Sequence, residues 1–487
     1  MTTKQFTVFI IMMYFLSGCR TESDVKRRQT AAAAAIVLGA SADDLGEEYS
    51  AGNLTVFDDS SNAFNSPGSN LKGQRVIDFN TGNAVFDSTW IPAGNSVLSG
   101  RGPLWNSSSC RGCHVFDGRG RPPKQEETEL TSMLIRLSIP GTDANGGPLG
   151  VPGYGTQLNT RYNAGKSLTS AEGSVSITYT EVPGSFPDGE KYSLRRPNYN
   201  ITYNFNSVPS NLMISPRTAP MIPGLGLLEA IPESDILANA DEKDSDENGI
   251  SGRPNYVYDV LSGKKILGRF GWKANNPSLR QQNQGAFLGD MGITSPLFPS
   301  EGCESASTQY SACVSEGSGN NGHSEGTEIN KLSVDFITFY TQTVGVPARR
   351  NWNSADVKNG KKLFSEIGCT YCHIPKFTTG KVKDFPEISG QTIRPYTDLL
   401  LHDMGEDLSD GRPDFLAEGK EWRTAPLWGI GLIQTVNGHN NLLHDGRARG
   451  FQEAVLWHGG EAEKSREKYK SLSKADRNSV LKFLESL

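Results

Sequence analysis

The chain of 487 residues is 36% hydrophobic and 21% charged, and its 48 basic against 54 acidic side chains leave a formal net charge of −6. At about 150 residues per domain it is long enough for sizeable buried cores, which excludes a small scaffold held by disulfides. No basic run exceeds Lys26-Arg27-Arg28, so nucleic acid is excluded as the main partner, because phosphate binding needs concentrated positive charge.

Residues 1–18 read as a secretory signal. Lys4 precedes the apolar run Phe6 to Leu16, too short for a mature spanning helix, which needs about twenty residues. Leu16-Ser17-Gly18-Cys19 resembles the lipobox of bacterial lipoproteins, in which Cys19 becomes the acylated N-terminus; the alternative is a plain signal with an incidental Cys. Arg20 after that Cys favours, by the same resemblance, the outer membrane, facing the periplasm. Residues 19–50 read as a tether, polar except for one short alanine-rich run.

Cys110-Arg111-Gly112-Cys113-His114 fits C-x-x-C-H, the attachment signature of c-type haem, and Cys369-Thr370-Tyr371-Cys372-His373 repeats it. Cysteines three residues apart share a helix face and suit two thioethers on one porphyrin edge, with the next His placed to bind iron. At the chain's Cys and His frequencies, chance gives on the order of 0.001 such strings. A zinc site would leave two ligands over, and a dithiol would not explain a His after both pairs.

Alternation at Val175, Ile177 and Tyr179, and again at Tyr199, Ile201, Tyr203 and Phe205, predicts a β-hairpin inserted in a mainly helical body. Asp244, Asp246 and Asn248, followed by Gly249, resemble the start of a calcium loop, although Asn255 stands where its Glu would be; a solvated acidic loop is the equal alternative. Cys303 and Cys313 read as a local disulfide staple, with a second dithiol site as the sharper alternative. Thr327 is the expected cap of a helix ending at Val344, and a boundary falls at 345–350. Ser354 caps a helix running into Cys369, and a last helix begins near Ser473. Phe451 to His458 can form one amphipathic helix stopped by Gly459-Gly460, which makes His458 a candidate second ligand for a haem iron.

The motifs Phe270-Gly-Trp-Lys-Ala274, Asp290-Met-Gly-Ile-Thr294, Leu400-Leu-His-Asp-Met-Gly405 and Leu443-His-Asp-Gly-Arg-Ala448, with the two haem strings, resemble the bacterial di-haem oxidoreductases of peroxidase type. These belong with the di-haem cytochrome c peroxidases and the di-haem enzyme that matures methylamine dehydrogenase. The resemblance implies a mainly α fold of two cytochrome c-like domains, 51–345 with the β-containing insertion and 350–487, and two covalent haems c. It also implies an electron-relay role for Trp272, a pocket role for Gln282 and an acid–base role for Asp290, an Asp in place of the family's Glu. His458 takes the place of the second haem's distal Met, with Met404 as competitor. His402, Arg423 and Arg447 are read as propionate partners or core polar groups. Arg217-Thr-Ala-Pro220 echoes Arg423-Thr-Ala-Pro426.

The expected function is an exported di-haem oxidoreductase that reduces H2O2 at the first haem, with electrons passed through the second from a donor protein or small redox partner. The alternatives are an electron-transfer cytochrome without peroxidase activity, and an oxidase that modifies a partner protein.

Overall fold

Gly82 and Gly360 mark the two places where pairs of long helices cross at backbone contact. The computed structural model describes residues 46–94, 96, 98–124, 127, 129–317 and 325–487. The signal, Cys19 and nearly all of the tether lie outside the described residues. Two units divide the chain, Met1–Glu48 and Tyr49–Leu487. Of the first, residues 46–48 form a turn.

In chain order the main elements of the second unit are helix α1 (Gln74–Asp87), the short α2 (Cys110–Cys113), strands β1 (Met133–Thr142), β2 (Gly173–Ser185), β3 (Lys191–Tyr203) and β4 (Met213–Thr218), and helices α3 (Leu279–Met291), α4 (Lys331–Thr343) and α5 (Ala355–Glu366). Strands β5 (Leu401–Asp403) and β6 (Glu421–Arg423) and helices α6 (Phe451–Trp457), α7 (Glu463–Ser471) and α8 (Lys474–Ser486) complete the set.

Helices α3, α4, α5 and α8 start at side-chain caps that satisfy otherwise orphaned N–H groups. Ser278 accepts from Gln281 N, Ser354 from Val357 N and Ser473 from Asp476 N. The cap of α4 is Asn330, whose Oδ1 accepts from Ser333 N at 2.8 Å; the expected cap Thr327 instead closes a preceding turn by donating to Ile329 O. Helix α1 packs on α4, and α5 on α8. A Cβ at Gly82 would lie 2.2 Å from Phe336 O, and one at Gly360 1.9 Å from Ser479 O, so only glycine permits either approach.

The expectation of a mainly α fold is corrected: helix makes up 29% and strand 21%, a mixed α/β content spread over many small sheets. Most of these strands are two to four residues long, too short to show alternation in sequence. The long exceptions are β1, which pairs antiparallel with β4, and the antiparallel hairpin of β2 and β3, paired from Gly173↔Tyr203 to Ser185↔Lys191. The hairpin runs between the strings in sequence. It acts as a strap. Tyr199 Oη donates to Asp445 Oδ2 at 3.1 Å and Arg195 Nε to Arg447 O at 2.8 Å, while buried Arg477 on α8 pairs with Asp188 (2.6 Å) and Glu190 (2.7 Å) at the hairpin's tip. Cys303 and Cys313 are disulfide-bonded. No helix among the described residues is long and apolar enough to cross a membrane.

Candidate active site

One cavity of about 390 Å³ is lined by both Cys-x-x-Cys-His strings. Trp272, Gln282, Asp290, Met404 and His458 line it as well, as do His402 and Arg423, whereas Arg447 does not.

The three candidate iron ligands share one hydrogen-bond signature. His114 Nδ1 donates to Pro220 O at 2.7 Å, His373 Nδ1 to Tyr396 O at 2.8 Å and His458 Nδ1 to Ala454 O at 2.7 Å. A carbonyl can only accept, so each ring carries its proton on Nδ1 and leaves the Nε2 lone pair free. Desolvation pushes His114 and His373 down to about 4 and also lowers His458, so all three stay neutral, the form that binds a metal. His373 and His458 both line the cavity, and His458 contributes to the depression at His373.

The other histidines on the cavity differ. His402 Nε2 lies 2.8 Å from Asp398 and Nδ1 2.6 Å from Glu461. Burial is the largest single influence and disfavours its charge, but Asp398 and Cys372 together hold its pKa well above the usual value. A doubly donating imidazolium has no lone pair to offer, so His402 is a core ion pair although its ring lies close to Cys372 and Asp398. His444 stacks on Trp422 with centroids 3.7 Å apart.

Local sequence explains how each proximal His is held. In α2, Ser109 caps the turn that carries Cys110 and Cys113. Before Cys369, Gly368 adopts φ 94°, which ends α5 and redirects the chain into the second string. Phe86 and Phe364, each four residues after its crossing glycine, lie 6.1 Å from His114 and His373 respectively. None of these four cysteines is disulfide-bonded, and burial raises Cys113 and Cys369 to about 12.

Around the first string the cavity is lined by one carboxyl, by amides and by arginines. Asp290 accepts from Gln157 Nε2 at 2.9 Å, and its backbone carbonyl accepts from Asn106 N and Ser107 N. Its carboxyl opens onto the cavity, away from bulk water, and desolvation raises its pKa against the pull of Arg136. It is close enough to Cys110 and Cys113 to raise both thiols further. Gln282 Oε1 accepts from Asn276 Nδ2 at 2.7 Å. Trp272 Nε1 donates to Thr218 O at 2.8 Å, and Trp272 O accepts from Arg423 N at 2.9 Å, so this residue bridges the two Arg-Thr-Ala-Pro segments.

Residues 45–487 match the family described as di-haem oxidoreductase, putative peroxidase. The chain belongs to this family. No curated protein matches it. Membership makes it an oxidoreductase of haem-dependent type, and the donor set fits two haems: paired thiols three residues apart, a neutral His after each, and a third His with the same free Nε2.

Several expected residues sit elsewhere or have other work. Asp244 and Asp246 are gathered with Asp241, and Asn248 Nδ2 donates to Asp246 Oδ2 at 2.8 Å. Within that loop, where the calcium set was expected over Asp244, Asp246 and Asn248, Asp244 accepts from Gly249 N and Asn248 from Ile250 N, and Lys464 Nζ donates to Asn248 O. Arg447 pairs with Asp445 at 2.9 Å, and Arg423 donates to the carbonyls of Gly271 and Thr424 while lining the cavity. The sequence reading missed Gln157 and Arg136. Arg136 had a signal, a charge inside the apolar strand Met133-Leu-Ile-Arg-Leu137.

Proposed function

We propose that this di-haem oxidoreductase is an exported peroxidase carrying two covalent haems c, one on Cys110, Cys113 and His114, the other on Cys369, Cys372 and His373 with His458 as second ligand. The observation that carries the reading is the asymmetry between the strings: the second has a facing His with a free Nε2, whereas the first has Asp290 with Gln157. Bound haem supplies the iron that takes up peroxide and the electrons that reduce it. The balance is H2O2 + 2 H⁺ + 2 e⁻ → 2 H2O.

The chain's residues manage the protons. Desolvated Asp290 keeps its proton to higher pH than an ordinary carboxyl and donates it to the leaving oxygen. Gln157 fixes the orientation of that carboxyl, and Gln282 offers a polar contact across the cavity. Trp272, bonded toward both halves of the site, is the electron path between the haems. Electrons arrive from a donor protein or small redox partner, and lipidated Cys19 holds the enzyme on the outer membrane, facing the periplasm.

Adding H2O2 to the fully reduced protein tests this. One equivalent is expected to oxidise both haems, since two electrons reduce one peroxide. An unchanged visible spectrum contradicts the reading and favours a plain electron-transfer cytochrome.

A further inference from the structure

On the cavity wall beside the first string, two strands present a pair of arginines. Strand β1 begins just after Thr131, whose carbonyl accepts from Cys113 Sγ at 3.2 Å. In the antiparallel register Arg136 lies opposite Ser215, and Arg217 opposite Leu134. Leu134, Arg136 and Arg217 therefore share a face, and all three line the cavity.

The charges there do not balance. Asp414 Oδ2 takes Arg217 Nη1 at 2.9 Å and Arg412 Nη1 at 3.1 Å. Lys273 is occupied by Asp410 at 3.0 Å and by the carbonyls of Arg412, Glu418 and Gly419. Arg217 Nη2 and Arg412 Nε are buried with no hydrogen-bond partner. Among the described residues the Arg136 guanidinium has neither ion pair nor hydrogen bond, and its electrostatic neighbours are Asp290, Arg217 and Asp414. The cations Arg136, Arg217, Arg412 and Lys273 thus face only Asp290, Asp410 and Asp414, and protonating Asp290 widens the deficit.

A desolvated guanidinium without a counter-ion is strongly unfavourable, and its planar fork matches the two oxygens of a carboxylate. We propose that Arg136 and Arg217 form a carboxylate-binding site filled by the propionates of the porphyrin attached at Cys110 and Cys113. This rests on the haem reading above. Arg412 is a positioning residue, holding Asp414 and through it Arg217. A dianionic porphyrin edge matches the surplus charge; a free carboxylate shares the chemistry and is the other source.

The test uses the full haem-loaded protein. Haem is counted first, and the two reduction midpoints are then read by spectroelectrochemistry for wild type, Arg136→Gln and Arg136→Lys, with and without added sodium acetate. The expected result is two haems in each, with one midpoint moved negative in Arg136→Gln by about tenfold in the reduced-to-oxidised ratio, about 59 mV for one electron. The other midpoint stays put, Arg136→Lys restores most of the shift, and acetate changes nothing. Arg217→Gln reports the same shift should Arg136→Gln fail to accumulate. A wild-type midpoint that moves saturably with acetate, and no longer does so in Arg136→Gln, overturns the propionate assignment in favour of a free anion. Unmoved midpoints in both Gln variants overturn the site. Wild type lacking two haems overturns the functional reading itself, and is seen before any potential is read.

Discussion

The two Cys-x-x-Cys-His strings are built alike from behind and unlike in front. Behind each, a glycine lets two helices cross at backbone contact, Gly82 of α1 on Phe336 of α4 and Gly360 of α5 on Ser479 of α8. One turn later a phenylalanine packs at 6.1 Å from the proximal His in both. In front, the first string meets Asp290, held by Gln157, while the second meets His458 with its Nδ1 committed to Ala454 O. A shared rear fixes where the histidine stands, and a few side chains in front decide whether the opposite position is a place for a proton donor or a second ligand.

The comparison breaks most visibly at the acid. Asp290→Asn keeps the hydrogen bond to Gln157 within reach but removes the proton, and peroxide reduction is expected to fall by about 10²–10⁴-fold. The pH profile gives the sign independently. Because the Asp290 pKa is raised by burial, the acid is available below that pKa and lost as pH rises through it. Rates in wild type therefore decline on the alkaline side, and in the Asn variant that limb flattens.

In front of the second string, His458→Met is expected to raise the midpoint of one haem and leave the other unmoved, since thioether ligation favours the reduced iron. Spectroelectrochemistry reads both at once, and a shift in both midpoints would dissolve the distinction. At the rear the two strings should respond equally. Gly82→Ala and Gly360→Ala each place a Cβ against an unyielding backbone carbonyl, and a loss of about 1–3 kcal/mol is expected in urea unfolding for either. The smallest effect belongs to the strap: Tyr199→Phe removes a hydrogen bond to Asp445 and should cost about 1–2 kcal/mol in the same assay.

What was legible in the sequence follows the same front and rear division. The rear around the second string could be read because Val357 and Phe364, and then Val480, Phe483 and Leu484, repeat at helical spacing behind the Ser354 and Ser473 caps. Helix α1, its counterpart, was hidden: only Phe79, Gly82 and Phe86 are buried, among Asn, Asp and Thr. Helix α3 buries Gln281 and Gln284 on its core face, which breaks the apolar period. Gln281 bonds Tyr258 O and Val260 N, an arrangement no linear pattern announces. In the front, Asp290 and His458 were found through motifs, but Arg136 and Gln157 reach the site from paired or adjacent strands and needed the register of β1 to be seen. The strand content was underestimated because two-residue bridges carry no period.

The asymmetry itself is most directly tested by electron paramagnetic resonance of the resting, fully oxidised protein. One high-spin and one low-spin ferric haem are predicted, with His458→Ala converting the low-spin signal. Two low-spin signals at rest, both indifferent to His458→Ala, would contradict it.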